Sequence, residues 1–400
     1  MIIPPTATDD ARRVLIARSL RAFGDGFIAI VLPLHLFALS YTATTVGIIA
    51  TVAMLGSAVL TLVVGVRAHA MSRRFLMQLS ACIMCLTGLG FAFGQNVWLL
   101  LAIAFFGTLN PSSGDVSVFV PLEHTALSHS TSPSDRTALF ARYSFVGTVA
   151  AALGSLAAGL VDWLGDNRDH LSIIQGMFLI YAASGAITWT LYRRLSPAVE
   201  GTEVEASPLG PSRTRVCQLA VLFSLDSFGG GFVLNTLIAV WLFQRFGLSA
   251  TEAGSIFFAT GLCSACSQLV AAHVARRIGL INTMVFTHLP ANLFLAIAAF
   301  APTLPIALIL LVLRSLLSQM DVPARTSYVM AVVQPAERPA AASFTAVPRS
   351  LTAALSPAIA GWLLSASPFG WPLVIAGTTK IVYDLCLWRL FSKVKPPEEH

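Results

Sequence analysis

The feature that constrains this chain most is a succession of apolar runs, each about twenty residues long, separated by short charged or Pro- and Gly-bearing breaks. A helix of that length covers the ~30 Å of hydrocarbon in a bilayer. In lipid, each spanning element must satisfy its own backbone polar groups, which leaves helices and closed barrels. A barrel would show alternating segments of about ten residues, and these runs do not alternate. Reading between the breaks gives spans at 16–39, 45–66, 75–94, 97–119, 138–162, 171–191, 216–242, 251–272, 280–300, 304–323, 341–364 and 371–391. The longest connection, 193–215, is polar and rich in Pro, Ser and Gly, the composition of a linker. The expected fold class is therefore an all-α integral membrane protein of twelve transmembrane helices. It divides into an amino-terminal six-helix bundle (1–192), a cytoplasmic linker (193–215) and a carboxy-terminal six-helix bundle (216–400).

Composition points the same way. The chain is 56% hydrophobic and 11% charged, against roughly 25% charged in soluble domains. Its net charge of +6 does not indicate a nucleic-acid partner, because Lys and Arg stand almost entirely between the apolar runs. There they orient the chain. The pairs Arg12-Arg13, Arg73-Arg74, Arg193-Arg194 and Arg276-Arg277 fall on one side with Lys393 and Lys395, while Arg168 and Arg245 fall on the other. The positive-inside rule places the first side, and both termini, in the cytoplasm. The expected location is a bacterial inner (plasma) membrane, with the chain a monomer. Residues 27–39 could imitate the apolar part of a signal peptide, but a second span follows at once. Six cysteines are too few for a disulfide scaffold.

The two halves repeat. Arg21-Ala-Phe-Gly-Asp-Gly-Phe27 in span one matches Asp226-Ser-Phe-Gly-Gly-Gly-Phe232 in span seven. Gly65 to Arg74 takes the place of Ala272 to Ile281, Asp115-Val116 that of Asp321-Val322, and Asp135-Arg136 that of Glu337-Arg338. Gly159 parallels Gly361, and all five matches keep their order at an offset of about 205 residues. Parallel repeats of six spans are a known transporter layout.

With this repeat the chain resembles the major facilitator superfamily over nearly its whole length. That family carries a G-x-x-x-D-R-x-G-R-[RK] type motif between spans two and three. Here the stretch reads Gly65-Val-Arg-Ala-His-Ala-Met-Ser-Arg-Arg74, which keeps Gly65, Arg73 and Arg74 but has His69 for the acid and Ser72 for the second glycine. The second half keeps Arg276-Arg-Ile-Gly279, again without the acid. The family's Arg-bearing motif in span four and the Gly-Pro motif of antiporters in span five have no counterpart. Residues 226–233 and 318–333 are similar to a poorly characterised bacterial subgroup, which brings no substrate with it. The resemblance implies two pseudo-symmetric bundles, alternating access, and a central cavity lined by spans one, four, seven and ten. It also implies a gating role for the 65–74 loop.

Charges within the spans are the functional candidates, because an ion near the bilayer centre costs about 2.5–3.5 kcal/mol. Asp25, Asp226 and Arg314 each lie about nine or ten residues into spans one, seven and ten, and span four adds polar Asn110, Ser112, Ser113 and Asp115. Asp25 stands between Gly24 and Gly26, which weaken the helix and are expected to let water or substrate approach. We therefore take Asp25, with Asp226, as the proton-coupling candidates. The expected substrate-binding set is Asp25, Asn110, Asp115, Asp226, Arg314 and Arg349. Asp226 could instead pair with Arg314 or Arg349. Lys380 and Asp384 are spaced for an internal ion pair on span twelve. Gly65, Arg73, Arg74, Arg142, Arg276, Gly279, Asp321 and Arg325, near helix ends, are expected at the gate.

Other signals are weaker. Cys82/Cys85 and Cys263/Cys266 each stand one turn apart and could hold a soft metal or metalloid, although such thiols are ordinary packing residues. His35 could relay protons to Asp25 or simply pack. Glu123 and His124, after span four, are expected to be solvated. The glycines of 228–232 are no nucleotide loop, since no strand precedes them and no Lys-Ser/Thr follows. No cofactor or metal is expected, and no ATP-binding motif is present, so energy must come from an ion gradient or the substrate. The leading expectation is proton-coupled efflux of a small molecule. The alternatives are uptake or exchange of an anionic metabolite, suggested by Arg314, Arg349 and Lys380, and a non-transporting membrane sensor.

Overall fold

The computed structural model describes residues 6–67, 71–111, 117–132, 135–165, 170–200, 209–334 and 337–394. Its helices are α1 (Asp9–Ala38), α2 (Ala43–Arg67), α3 (Arg73–Phe93), α4 (Val97–Phe106), α5 (Phe119–His129), α6 (Arg136–Ala157), α7 (Leu160–Gly165) and α8 (His170–Arg193). After a tight helical turn at Pro197–Glu200 come α9 (Arg213–Gly231), α10 (Asn235–Phe246), α11 (Ala250–Ile278) and α12 (Leu280–Ala298). The chain ends with α13 (Leu304–Leu317), α14 (Asp321–Val332), α15 (Arg338–Ala366) and α16 (Trp371–Phe391). Among the described residues, nine helical stretches are long and apolar enough to cross a membrane. The remaining three crossings are α4, shortened by a break, and α15 and α16, which carry charges of their own. The outer surface is apolar, with Trp98 76%, Phe93 69% and Trp362 60% exposed. Water would penalise such a surface; lipid does not. This is a multi-pass membrane protein.

Three expected spans are interrupted. The fourth, expected over 97–119, ends as helix at Phe106. Pro111 lacks an N–H and disfavours helical geometry at Asn110, so the chain leaves the helix at Gly107. It resumes as α5, which packs against the bundle. Span seven divides into α9 and α10 after the glycine triplet 229–231, and span ten divides into α13 and α14. Two of these breaks meet: the Pro111 carbonyl accepts from the Thr236 Oγ1 at 2.9 Å and the Thr236 N–H at 3.3 Å.

The halves are sewn together at the end of the bundle remote from the paired arginines. There α2 packs on α15 and α6 on α11. A Cβ on Gly47 would stand 2.3 Å from the Pro357 carbonyl oxygen and 2.9 Å from the Gly361 Cα, so only glycine permits this approach. Hydrogen bonds flank it. Ser365 Oγ lies 2.8 Å from both the Thr44 N–H and its hydroxyl, and the Ala358 N–H donates to Thr51 Oγ1 at 3.0 Å. On the other seam the Thr251 N–H donates to Asp162 at 2.6 Å.

Candidate functional site: a polar cavity between two buried ion networks

Between the halves lies a cavity of about 300 Å³. Residues from α1 (Arg18), α6 (Thr148, Ser155), α11 (Thr260, Ser264, Gln268) and α13 (Arg314, Ser315) line it, with Asn235 from α10. The α11 contribution follows from helical periodicity: positions 260, 264 and 268 are four residues apart and share one face. Several hydroxyls there already donate to their own helix, Thr260 to the Ile256 carbonyl at 2.9 Å and Ser315 to the Leu311 carbonyl at 2.8 Å. Arg314 Nε is buried without a hydrogen-bond partner among the described residues.

Of the other expected binding residues, Asp25, Asn110, Asp226 and Arg349 are not among those lining the cavity, and Asp115 lies outside the described residues. Asp25 is 7% exposed and accepts from Asn110 Nδ2 at 3.5 Å. Its flanking glycines serve packing rather than access: a Cβ on Gly26 would stand 2.0 Å from the Ala151 carbonyl oxygen, and one on Gly24 would meet the Tyr181 ring at 2.8 Å. Asp25 is nonetheless one helical turn from Arg21 and two from Arg18, which does line the cavity. His35 packs against Phe178, with ring centroids 5.1 Å apart, and stands ten residues along the helix from Asp25.

The second half buries a network around Asp226. Lys380 Nζ donates to it at 2.6 Å and Arg325 Nη2 at 2.9 Å, and Arg325 also pairs with Asp321. The expected ion pair within span twelve does not form. Lys380 turns to Asp226 on α9, while Asp384 takes His288 Nδ1 at 2.8 Å and Asn292 Nδ2 at 3.0 Å from α12. The cause is the cross-helix neighbours: Asp226 reaches Lys380 from α9, while Asp384 is engaged by His288 and Asn292. Nor does Asp226 pair with Arg314 or Arg349. The Arg349 Nε donates to Ser227 Oγ at 3.2 Å.

The first half holds a matching network that sequence reading missed. Glu123, expected in solvent, is 0% exposed and pairs with Arg21. The Tyr143 and Tyr192 hydroxyls each donate to it at 2.6 Å, and the Arg21 guanidinium lies 4.0 Å from the Phe119 ring centroid. The reason is that 119–129 is helix rather than loop, which turns Glu123 inward. His124 packs between the Phe140 and Tyr143 rings at 5.0 and 5.1 Å.

A search against family models matches the Major Facilitator Superfamily over residues 14–224 and again over 219–400. The chain belongs to the major facilitator superfamily. It is also 24% identical to an uncharacterized membrane protein of Saccharomyces cerevisiae, over 97% of this chain and 95% of that one. Among solved structures it is similar to the nucleoside transporter NupG (14% identity, TM-score 0.74, covering 97% of this chain and 100% of that chain). A bacterial homolog of the human lysosomal transporter Spinster matches at 14% identity and TM-score 0.70, over 98% and 99% of the two chains. A bacterial homologue of the iron transporter ferroportin, in an inward-facing state, matches at 15% identity and TM-score 0.70, over 95% and 98%. The fold is thus the major facilitator fold, and the protein is a membrane transporter of small molecules rather than an enzyme.

In this major facilitator chain the departures from the family motif have local structural partners. Gly65 lies near the end of α2, and His69 is outside the described residues. Ser72, in place of the motif's second glycine, caps α3 by accepting from the Phe75 N–H at 3.4 Å and donates to Glu200. Glu200 also accepts from the backbone of Arg73 at 2.7 Å and of Arg74 at 3.3 Å. Burial alone would raise its pKa, but these donors and the Arg73 charge hold it below the ordinary carboxylate value. The linker's other end is held likewise: Glu337 accepts from the N–H groups of Gly210 at 3.0 Å and Ser212 at 3.3 Å. Gly279, with φ +85°, makes the turn between α11 and α12 next to exposed Arg276. Arg142 keeps Nη1 buried without a hydrogen bond to the described residues. Of the cysteines, Cys82 and Cys266 are exposed, Cys85 and Cys263 half-buried, and all four are free.

Proposed function

We propose that this protein is a proton-coupled secondary transporter in which a small molecule occupies the cavity between the halves and crosses by alternating access. The observation that carries the reading is a polar cavity at the meeting of two bundles, with a small-residue seam at one end. With the arginine-rich end in the cytoplasm, as the positive-inside rule assigns it, the seam is on the outer side and the solute loads from within. Efflux is the direction that this loading favours.

Asp25 is the proposed proton carrier, with Asp226 held in the fixed ion network of the second half. Asp25 sits on the same helical face as Arg18, two turns away, so gain or loss of its charge is felt at a cavity-lining guanidinium. At the arginine-rich end, Arg73, Arg74, Arg276 and Gly279, with Arg142 and the Asp321–Arg325 pair, form the proposed inner gate. The test is flux in proteoliposomes under an imposed pH gradient, with an entrapped pH dye as readout. Asp25→Asn is expected to abolish the pH-driven component while leaving exchange between equal pools; full pH-driven flux in that variant removes the proton role.

A further inference from the structure

We infer that Arg314 is the anchor of an anion subsite in the cavity, so that the transported solute is a small organic oxyanion carrying a carboxylate or phosphate ester. This deepens the transport reading above and rests on the cavity being the transport site.

Four cations lie deep in the second half, and the structure separates them: Arg325 is paired with Asp226 and Asp321. Lys380 is spent on Asp226, and Arg349 donates to Ser227. Arg314 makes no hydrogen bond or ion pair with the described residues, and its Nε is buried. Arg314 is half-buried on the cavity wall, with Nε shut off from solvent, and a partly buried guanidinium with no counter-charge among the described residues is costly. Packing does not explain keeping it there, because an apolar residue of similar length would fill the same wall at lower cost. A counter-ion supplied by the solute does.

The rest of the wall fits that occupant. Arg18 brings a second guanidinium to the lining, and no Asp or Glu is found among the described lining residues. Asn235, Gln268 and Gln319 carry side-chain amide N–H groups that can donate to oxygen. A cationic solute would meet only like charge. The planar guanidinium fork matches carboxylate and phosphate oxygens in paired hydrogen bonds. A volume of about 300 Å³ is at the small end of ligand pockets, which favours a compact solute over a drug-sized one.

The experiment is thermal unfolding of the full detergent-purified chain with matched solutes: benzoate against benzamide, succinate against succinamide, and phenyl phosphate against phenol. Carboxylates, phosphates or both are expected to raise the midpoint while the neutral partners do not, and the two acid arms distinguish the oxyanions. Arg314→Gln is expected to weaken the effect by roughly ten- to a hundredfold in apparent affinity, the range for a hydrogen bond to a charged group. Arg314→Lys, which keeps the charge and loses the fork, should fall between. If Arg314→Gln does not fold, the Lys variant and the wild-type acid–amide contrast still decide. Equal stabilisation by amides, no stabilisation by any anion, or anion binding undiminished in Arg314→Gln or Arg314→Lys overturns the proposal. Ser264→Trp, which fills the cavity, separates the two levels. Anion binding that survives it means that the cavity reading itself has failed. Anion binding lost there but kept in Arg314→Gln leaves the cavity standing and removes only the role of Arg314.

Discussion

Arg21 and Asp226 occupy the same place in the matched heptapeptides of α1 and α9, yet carry opposite charges, and each is closed by a buried partner of the other sign from its own half. Arg21 takes Glu123 on α5, and Asp226 takes Arg325 on α14. The repeat has kept a buried pair at this level while exchanging which helix carries the acid. Each of these pairs is thereby closed within its own half. Among the described residues, the seams between halves carry hydrogen bonds and close small-residue packing.

The Asp226 network predicts a stability effect that depends on its partner. Asp226→Asn leaves Lys380 and Arg325 buried with a weakened counter-charge, and breaking such a pair costs about 3–5 kcal/mol. Thermal unfolding of the purified chain should show a large drop. Adding Lys380→Met should restore part of it, with a coupling energy of roughly 0.5–3 kcal/mol. Simple addition of the two single effects would show that Lys380 and Asp226 do not interact.

At the seam remote from the paired arginines, Thr44 and Ser365 lie within hydrogen-bond distance, hydroxyl to hydroxyl at 2.8 Å. In a chain whose six native cysteines have been replaced, Thr44→Cys with Ser365→Cys is expected to cross-link under mild oxidation and to stop transport. Reductant should restore it. Unimpeded transport by the fully cross-linked chain would mean that this seam does not open during the cycle.

Glu200 supplies a pH-dependent contribution. Its carboxyl is held below the ordinary value of 4.5 by Ser72 and the backbone of Arg73 and Arg74. A folded-state value below the unfolded one contributes stability above the unfolded value and loses it as pH falls through the folded one. Glu200→Gln should therefore lower the unfolding midpoint slightly at neutral pH, by no more than an exposed charge contact provides. That difference should vanish in acid below 4.5. A gap that stays constant with pH would assign the effect to shape rather than charge.

The spans and the repeat were legible because bilayer thickness imposes a length on every crossing, and because paired arginines mark one side. Partners across helices were not legible. The i, i+4 spacing of Lys380 and Asp384 describes one helix, whereas burial gave Lys380 a nearer carboxylate on α9. Glu123 looked like a loop residue because α5 is short and follows a proline break. Arg18 was hidden by its position near the charged start of α1. The stripe Thr260, Ser264 and Gln268 was in plain view as polar residues four apart in an apolar helix, and it marks the cavity wall. Arg314 was legible from cost alone.

The anchoring of both linker ends limits how far the halves can part. Glu200 is fastened to the start of α3, and Gly210 is fastened to Glu337. Ten residue steps separate Glu200 from Gly210, and a fully stretched chain of that length reaches at most about 36 Å. While both anchors hold, that covalent leash caps the gape at the arginine-rich face, whatever solute drives the swing.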